Sequence, residues 1–299
     1  MDEKEYDRKP MRLAHRGLVQ YAPENTRGAF EAALDQGLEG MEIDIQLSRD
    51  GEVIVAHDAN FTRMTLGCPT TPSNRRIRDL TVEEIKAIDL PYANHTLPRA
   101  LPRHSEIESL LTVPGRLMGQ ESGSDYEAAL ARDGRMTHLM TFKEFDEWFS
   151  GRSEDALVEI EIKAPGTLPR MWEILDGSGN VGRYVLFSGV KEYLREMQDY
   201  ARREGKPKNL RLGANVRRLN EESMAFIQSS DLFEVGLNAE CFGENEVRRL
   251  GDMGIQVFSN LGDYPAWWEK MVRTGCMAFK TNYAETYTDW WKARGNAEK

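Results

Sequence analysis

Short apolar runs rich in β-branched and aromatic residues recur along the chain, each answered by a stretch with the period of an amphipathic helix. The runs predict strands over 11–16, 40–47, 156–163, 184–188, 210–216, 233–239, 255–260 and 276–281. The intervening stretches predict helices over 26–36, 141–150, 168–176, 191–204, 219–229, 244–253, 264–274 and 285–294. Eight strands alternating with eight helices is the α/β pattern of a closed (β/α)8 barrel, and 299 residues suit one such domain over 1–299. An open doubly wound sheet is the competing arrangement, but no glycine-rich dinucleotide fingerprint follows the first strand.

The alternation breaks once. Between the second strand and its helix lies an insertion of about 48–140. It opens with a turn, Arg49-Asp50-Gly51, and a hairpin arm, EVIVAHD. A short helix is expected in TVEEIKAIDL, where Thr81 and Glu84 have the spacing of a capping box. From Pro91 to Arg135 the segment is rich in Pro, Arg, Ser and Gly. A long connection after a barrel strand falls on the catalytic face, which makes it a candidate specificity element.

Within two of the strands, polar residues take the alternate positions. Glu42 and Asp44 share one face of the second strand, opposite Met41, Ile43 and Ile45. Glu159, Glu161 and Lys163 share one face of the third, opposite Val158, Ile160 and Ile162. The apolar set packs against the helices, so the charged set faces the barrel axis. Unpaired carboxylates there cost several kcal/mol each, so their convergence implies a counter-ion. Oxygen donors favour a hard divalent cation, Mg²⁺ or Ca²⁺. His15 and His57 end two apolar stretches and form a candidate proton-transfer pair. Arg16 and Lys163 offer positive charge for a phosphate.

Charge and cysteine content narrow the partners. The formal net charge of −10 argues against nucleic acid. Three widely spaced cysteines, Cys68, Cys241 and Cys276, suit neither a disulfide framework nor a thiolate metal site. The charged start, MDEKEYDRKP, carries no signal-peptide pattern, and no apolar run has the length of a transmembrane segment, so a cytoplasmic location is expected. The sequence does not fix an oligomeric state.

The order His15-Arg16-Gly17, Pro23-Glu24-Asn25-Thr26, Glu42-x-Asp44, Ser48-x-Asp50-Gly51, His57-Asp58 and Arg63-x-Thr65 resembles the glycerophosphodiester phosphodiesterase family, a barrel of the phosphatidylinositol-phospholipase-C-like kind. Glu161-x-Lys163 is similar to its third-strand motif. The resemblance implies metal-dependent hydrolysis of a small-molecule glycerophosphodiester to glycerol phosphate and an alcohol. It implies that His15 and His57 are the acid/base pair, that Glu42, Asp44 and Glu161 hold the metal, and that Arg16 and Lys163 bind the phosphate. Glu24 and Asn25 are then supports beside the site, with Thr26 a helix N-cap. Three places depart from the family pattern: Phe258-Ser259-Asn260 stands where Trp-Thr is common, Thr281-Asn282-Tyr283-Ala284 where Thr-Asp then Pro is common, and the segment Pro91 to Arg135 is longer than in simple members. All bear on the pocket, so a lysophospholipid or a sugar phosphodiester is an alternative substrate. A catalytically silent barrel that binds a phosphate ligand is the alternative of a different class.

Overall fold

The fold is given by a computed structural model that describes residues 9–19, 21–65, 74–88, 90, 138–152 and 155–297. Eight parallel strands close into a barrel: β1 (Met11–His15), β2 (Gly40–Leu47), β4 (Leu157–Ile162), β5 (Tyr184–Phe187), β6 (Arg211–Arg217), β7 (Glu234–Leu237), β8 (Gln256–Leu261) and β9 (Ala278–Thr281). Closure runs through β1, which pairs in parallel with both β2 and β9. The open-sheet alternative is thereby excluded. The helices are α1 (Arg27–Asp35), α2 (Val82–Lys86), α3 (Phe142–Phe149), α4 (Leu168–Gly177), α5 (Lys191–Glu204), α6 (Glu221–Gln228), α7 (Glu244–Gly251), α8 (Pro265–Thr274) and α9 (Ala284–Ala297).

Strand alternation sorts the interior into two regions. Met41, Ile43 and Ile45 of β2 and Val158, Ile160 and Ile162 of β4 point outward and join the apolar faces of the helices in one large core. Trp268 is fully buried in that core, and Trp267, Trp290 and Trp291 pack on it. Inside the barrel a smaller apolar plug forms from Leu13, Leu157, Val185, Phe258 and Ala278. Other axis-facing positions are charged. Lys280 Nζ lies 2.7 Å from Glu159 Oε1, both buried. Burial alone would depress the Lys280 ammonium, but Glu159, Glu234 and Glu42 outweigh it and hold it above the ordinary lysine range. Burial, with Glu159 nearby, pushes the Glu234 carboxyl well up. Gly213 makes room for it, since a Cβ there would come within 2.0 Å of Glu234 Oε1.

The insertion begins as a continuation of the barrel. β1 ends at His15, and beyond that level β2 pairs with the antiparallel strand β3 (Val53–Val55) through Ile45–Val55 and Leu47–Val53. Behind β3 a separate apolar cluster of Ile54, Phe61, Met64, Ile77, Leu80, Ile85 and Leu139 gives this extension its own core. The capping box of α2 is present, with Thr81 Oγ1 accepting from the Glu84 amide and the Glu84 carboxylate accepting from the Thr81 amide. The expected specificity element from Pro91 to Arg135 lies outside the described residues. Among the described residues no helix is long and apolar enough to cross a membrane.

Candidate active site

The carboxylates converge at the C-terminal end of the barrel. One oxygen from each of Glu42, Asp44 and Glu161 lies within 4.8 Å of the others. Their strands explain this: Glu42 and Asp44 are alternate residues of β2, and Asp44 is level with Glu161 on β4. Asp44 is buried and Glu42 nearly so. Burial pushes the Glu42 carboxyl well above the ordinary range, and repulsion from Asp44 adds to it. For Asp44 burial acts the same way, but Arg16 and Lys163 outweigh it and hold the group down to about 2.

The cations expected to meet a phosphate rest on these carboxylates. Lys163 Nζ is 2.8 Å from Glu161 Oε2 and 3.3 Å from Asp44 Oδ1. Arg16 Nε is 3.5 Å from Asp44 Oδ2, and its Nη1 donates to Glu24 Oε1 at 3.1 Å. Arg16 and Asn25 adopt left-handed backbone, with φ of 59° and 56°. Non-glycine residues rarely do so, and such strain persists where surrounding bonds enforce it. Here the Arg16 amide donates to Glu42 Oε2 at 3.0 Å and the Asn25 amide donates to the Arg16 carbonyl at 2.9 Å. Gly17 follows at φ 81°, where a Cβ would strike Ala29 Cβ at 2.6 Å; the third letter of the His-Arg-Gly run is thus set by contact with α1. Asn25 grips Asp44 twice, donating Nδ2–H to Oδ2 at 2.9 Å and accepting the Asp44 amide on Oδ1 at 3.2 Å. Thr26 caps α1.

The two histidines are held by different partners. His15 Nδ1 lies 3.1 Å from Asn282 Oδ1. The Asn282 amide orientation is fixed because its Nδ2 donates to Asp263 Oδ2 and its backbone N–H donates to Asp263 Oδ1, each at 2.9 Å. Its oxygen therefore accepts from His15, which puts the proton on Nδ1 and leaves the Nε2 lone pair free. Burial pushes the His15 imidazole well below its ordinary range, and the Arg16 charge adds to this. His57 comes from the end of the hairpin arm, and its Nδ1 donates to Asp58 Oδ1 at 2.6 Å. It lies close enough for its charge to act on both His15 and Asp44.

Arg63 had no assigned role in the sequence reading, and the structure gives it one. Its Nε donates to Asp58 Oδ2 at 2.7 Å and its Nη1 to Glu24 Oε2 at 2.6 Å. The guanidinium thereby ties the extension that carries His57 to the loop that carries Arg16. Among the nine residues singled out from sequence, His15, Arg16, Glu24, Asn25, Glu42, Asp44, His57, Glu161 and Lys163, all fall in this one cluster. Asp58, Arg63, Asp263, Asn282 and Lys280 complete it.

The cluster also fits a divalent cation. Seven carboxyls, Glu24, Glu42, Asp44, Asp58, Glu159, Glu161 and Asp263, face four cations, Arg16, Arg63, Lys163 and Lys280, so acidic groups outnumber basic ones. Asp44 Oδ1 is buried and accepts no hydrogen bond among the described residues. Hard oxygen donors with surplus negative charge are the donor set of Mg²⁺ or Ca²⁺.

Two predictions arise here. Replacing Arg63 by Met leaves the buried Glu24 carboxylate with Arg16 as its remaining cation and removes a donor from Asp58 Oδ2. Unfolding free energy is expected to fall by about 1–3 kcal/mol, measured by urea denaturation. The second concerns acid. Glu24 and Asp44 are held below their ordinary values of 4.5 and 3.8. For Glu24 burial again opposes, and Arg16 and Arg63 win. The stability that depressed carboxyls contribute is present above the unfolded pKa and lost as pH falls through the folded one. Glu42 acts oppositely, but its gain on protonation is complete once pH is below about 4.5. In chelator-treated protein the thermal midpoint is therefore expected to fall steeply between about pH 4 and 2, and less so in Asp44→Asn.

The barrel carries an acidic centre beside two histidines, and comparison with known proteins gives its family. The model of the glycerophosphoryl diester phosphodiesterase family matches residues 15–286, and the chain belongs to that family. A glycerophosphodiester phosphodiesterase of Caldanaerobacter subterraneus is 41% identical over 81 residues, 27% of this chain and 31% of that protein. One of Bacillus altitudinis is 38% identical over 108 residues, 36% of this chain and 42% of that protein. The chain thus spans between about a third and two-fifths of the length of these relatives. A phosphodiesterase of Oleispira antarctica, solved with the product sn-glycerol-3-phosphate, superposes with a TM-score of 0.69 at 18% identity, covering 96% of this chain and 99% of that one. At that identity the likeness is one of fold.

Proposed function

We propose that the protein hydrolyses glycerophosphodiesters to glycerol phosphate and an alcohol, with a divalent cation held by Glu42, Asp44 and Glu161. The convergence of these three carboxylates beside two histidines, each fixed through Nδ1, carries the reading. When bound, the cation supplies Lewis-acid stabilisation of phosphate charge and lowers the pKa of a coordinated hydroxyl. The protein's own groups do the rest. Arg16 turns its fork toward the phosphate and Lys163 adds a point charge, each drawn from the carboxylates on which it rests.

The partners of the two histidines support a division of the two proton transfers between them. His15 is neutral, with a free Nε2 lone pair, and acts as base on the attacking oxygen. His57 donates Nδ1–H to a carboxylate rather than to a neutral amide, which suits the residue that carries the proton to be delivered. It acts as acid on the leaving alkoxide through Nε2. Glu24, Arg63 and Asp58 hold that ring without touching the reacting atoms. The test is product identification after incubation with a panel of glycerophosphodiesters and Mg²⁺ or Ca²⁺. Glycerol phosphate and free alcohol in equal amounts are expected. Absence of turnover across the panel would favour the silent phosphate-binding barrel.

A further inference from the structure

A cavity of about 200 Å³ lies between α5 and α6. Its inner wall is Gly189 and Asn215, its floor includes Leu194 and Phe226, and Lys191, Arg217 and Glu222 stand around it. The inner wall is also the edge of the carboxylate cluster: a Cβ on Gly189 would stand 3.4 Å from Glu161 Oε1 and 3.7 Å from Asn215 Nδ2. We propose that this cavity is the subsite for the alcohol half of the diester, and that it favours a hydroxyl-rich alcohol, neutral or anionic, over a cationic amine. The inference rests on the phosphodiesterase reading above.

Three observations carry it. The first is a chain of amides. Asn260 Nδ2 donates to Asn215 Oδ1 at 3.0 Å and to Asn238 Oδ1 at 2.7 Å. With its oxygen so engaged, Asn215 turns its two N–H donors to the Gly189 side, where an alcohol leaving the phosphate would pass. Asn260 belongs to the run that departs from the family pattern. The second is charge. Lys191 and Arg217 outnumber Glu222, and Glu222 is already paired with Lys191. The Phe226 ring offers a face of the kind a quaternary ammonium uses, but no free carboxylate among the lining residues accompanies it, and the net positive charge left by Arg217 disfavours such a group.

The third is backbone. Arg217 is left-handed, at φ 63°, and sits where the pairing of β6 with β7 shifts register after Asn215. A bulge re-aims a side chain, and strain of this kind gathers at ligand sites. Size agrees as well. A cavity of about 150 Å³ holds a benzene molecule, so the space suits a glycerol or an inositol ring and not an acyl chain.

The test compares glycerophosphoglycerol and glycerophosphoinositol with glycerophosphocholine and glycerophosphoethanolamine. The natural protein is expected to show kcat/KM about tenfold higher for the polyol pair. In Lys191→Glu/Arg217→Glu the ratio is expected to fall to parity or below, and circular dichroism reports whether that variant is folded. Asn215→Ala is a second variant, expected to raise KM for the polyol diesters more than for the choline diester. Turnover with a ratio that neither variant moves, or a natural preference for choline, overturns the subsite and leaves the phosphodiesterase reading standing. No turnover of any diester by the natural protein overturns both.

Discussion

Replacing His57 by Ala is expected to lower kcat on an alkyl phosphodiester by about 10²–10⁴-fold, the usual contribution of a positioned acid or base. His15→Ala is expected to lose a similar factor. The two differ in how they respond to the leaving group. An alkoxide needs a proton as the P–O bond breaks, whereas nitrophenolate needs little. An aryl phosphodiester should therefore restore most of the lost rate to His57→Ala and almost none to His15→Ala. The opposite pattern would exchange the roles of base and acid. The double variant should lose less than the product of the single losses, because paired groups act as a unit. Equal, near-natural turnover by both single variants would remove the histidines from the mechanism. Asp58→Asn offers a further check, since it removes the charge beside His57 Nδ1 and leaves one acceptor oxygen for the two donors, His57 and Arg63.

Loss of the carboxylate centre is expected to be as severe. Asp44→Asn keeps the shape of a residue that accepts from Asn25 and lies against Arg16 and Lys163. It removes one of the carboxylate charges that would hold a divalent cation. Cation affinity, read by calorimetry, should fall by at least about tenfold, with turnover falling in parallel. Glu42→Gln should behave alike, but with a gain in the stability of the cation-free protein. Burial and repulsion already push the Glu42 carboxyl upward, and a neutral amide there relieves both. Unchanged cation affinity in both variants would sink the assignment of these residues as ligands.

The barrel was legible because its two periods are clean. Alternation in GMEIDIQL and LVEIEI separates the outer core from the axis, and observed strand limits differ from the predicted ones by a residue or two. That the nine singled-out residues lie together was legible because strand ends place i and i+2 side chains on one face, and because the family resemblance supplied their order. The partners were not. Asn282 and Asp263 lie 19 residues apart and meet only because β8 and β9 are neighbours. Lys280 is separated from Glu159 by 121 residues, and alternation in AFKT shows which face it takes but not which carboxylate it meets.

Arg63 shows a different limit. Its place in the Arg63-x-Thr65 run was visible, and its function was not, because a bridge between two loops depends on how the extension docks on the barrel. That docking is set by β3 replacing β1 alongside β2, a register decided in three dimensions. The proposed choice of base and acid likewise rests on the structure rather than on the sequence. Sequence alone presents two equivalent histidines, and only their Nδ1 partners, an amide for one and a carboxylate for the other, make them unequal.

The most direct test follows a glycerophosphodiester by phosphorus NMR in a single sample taken through removal and return of the metal. The account predicts no conversion in the exhaustively chelated protein, and glycerol phosphate as the sole phosphorus-containing product once Mg²⁺ or Ca²⁺ is restored. Steady conversion by the chelated protein, or no conversion with any divalent cation, would contradict it.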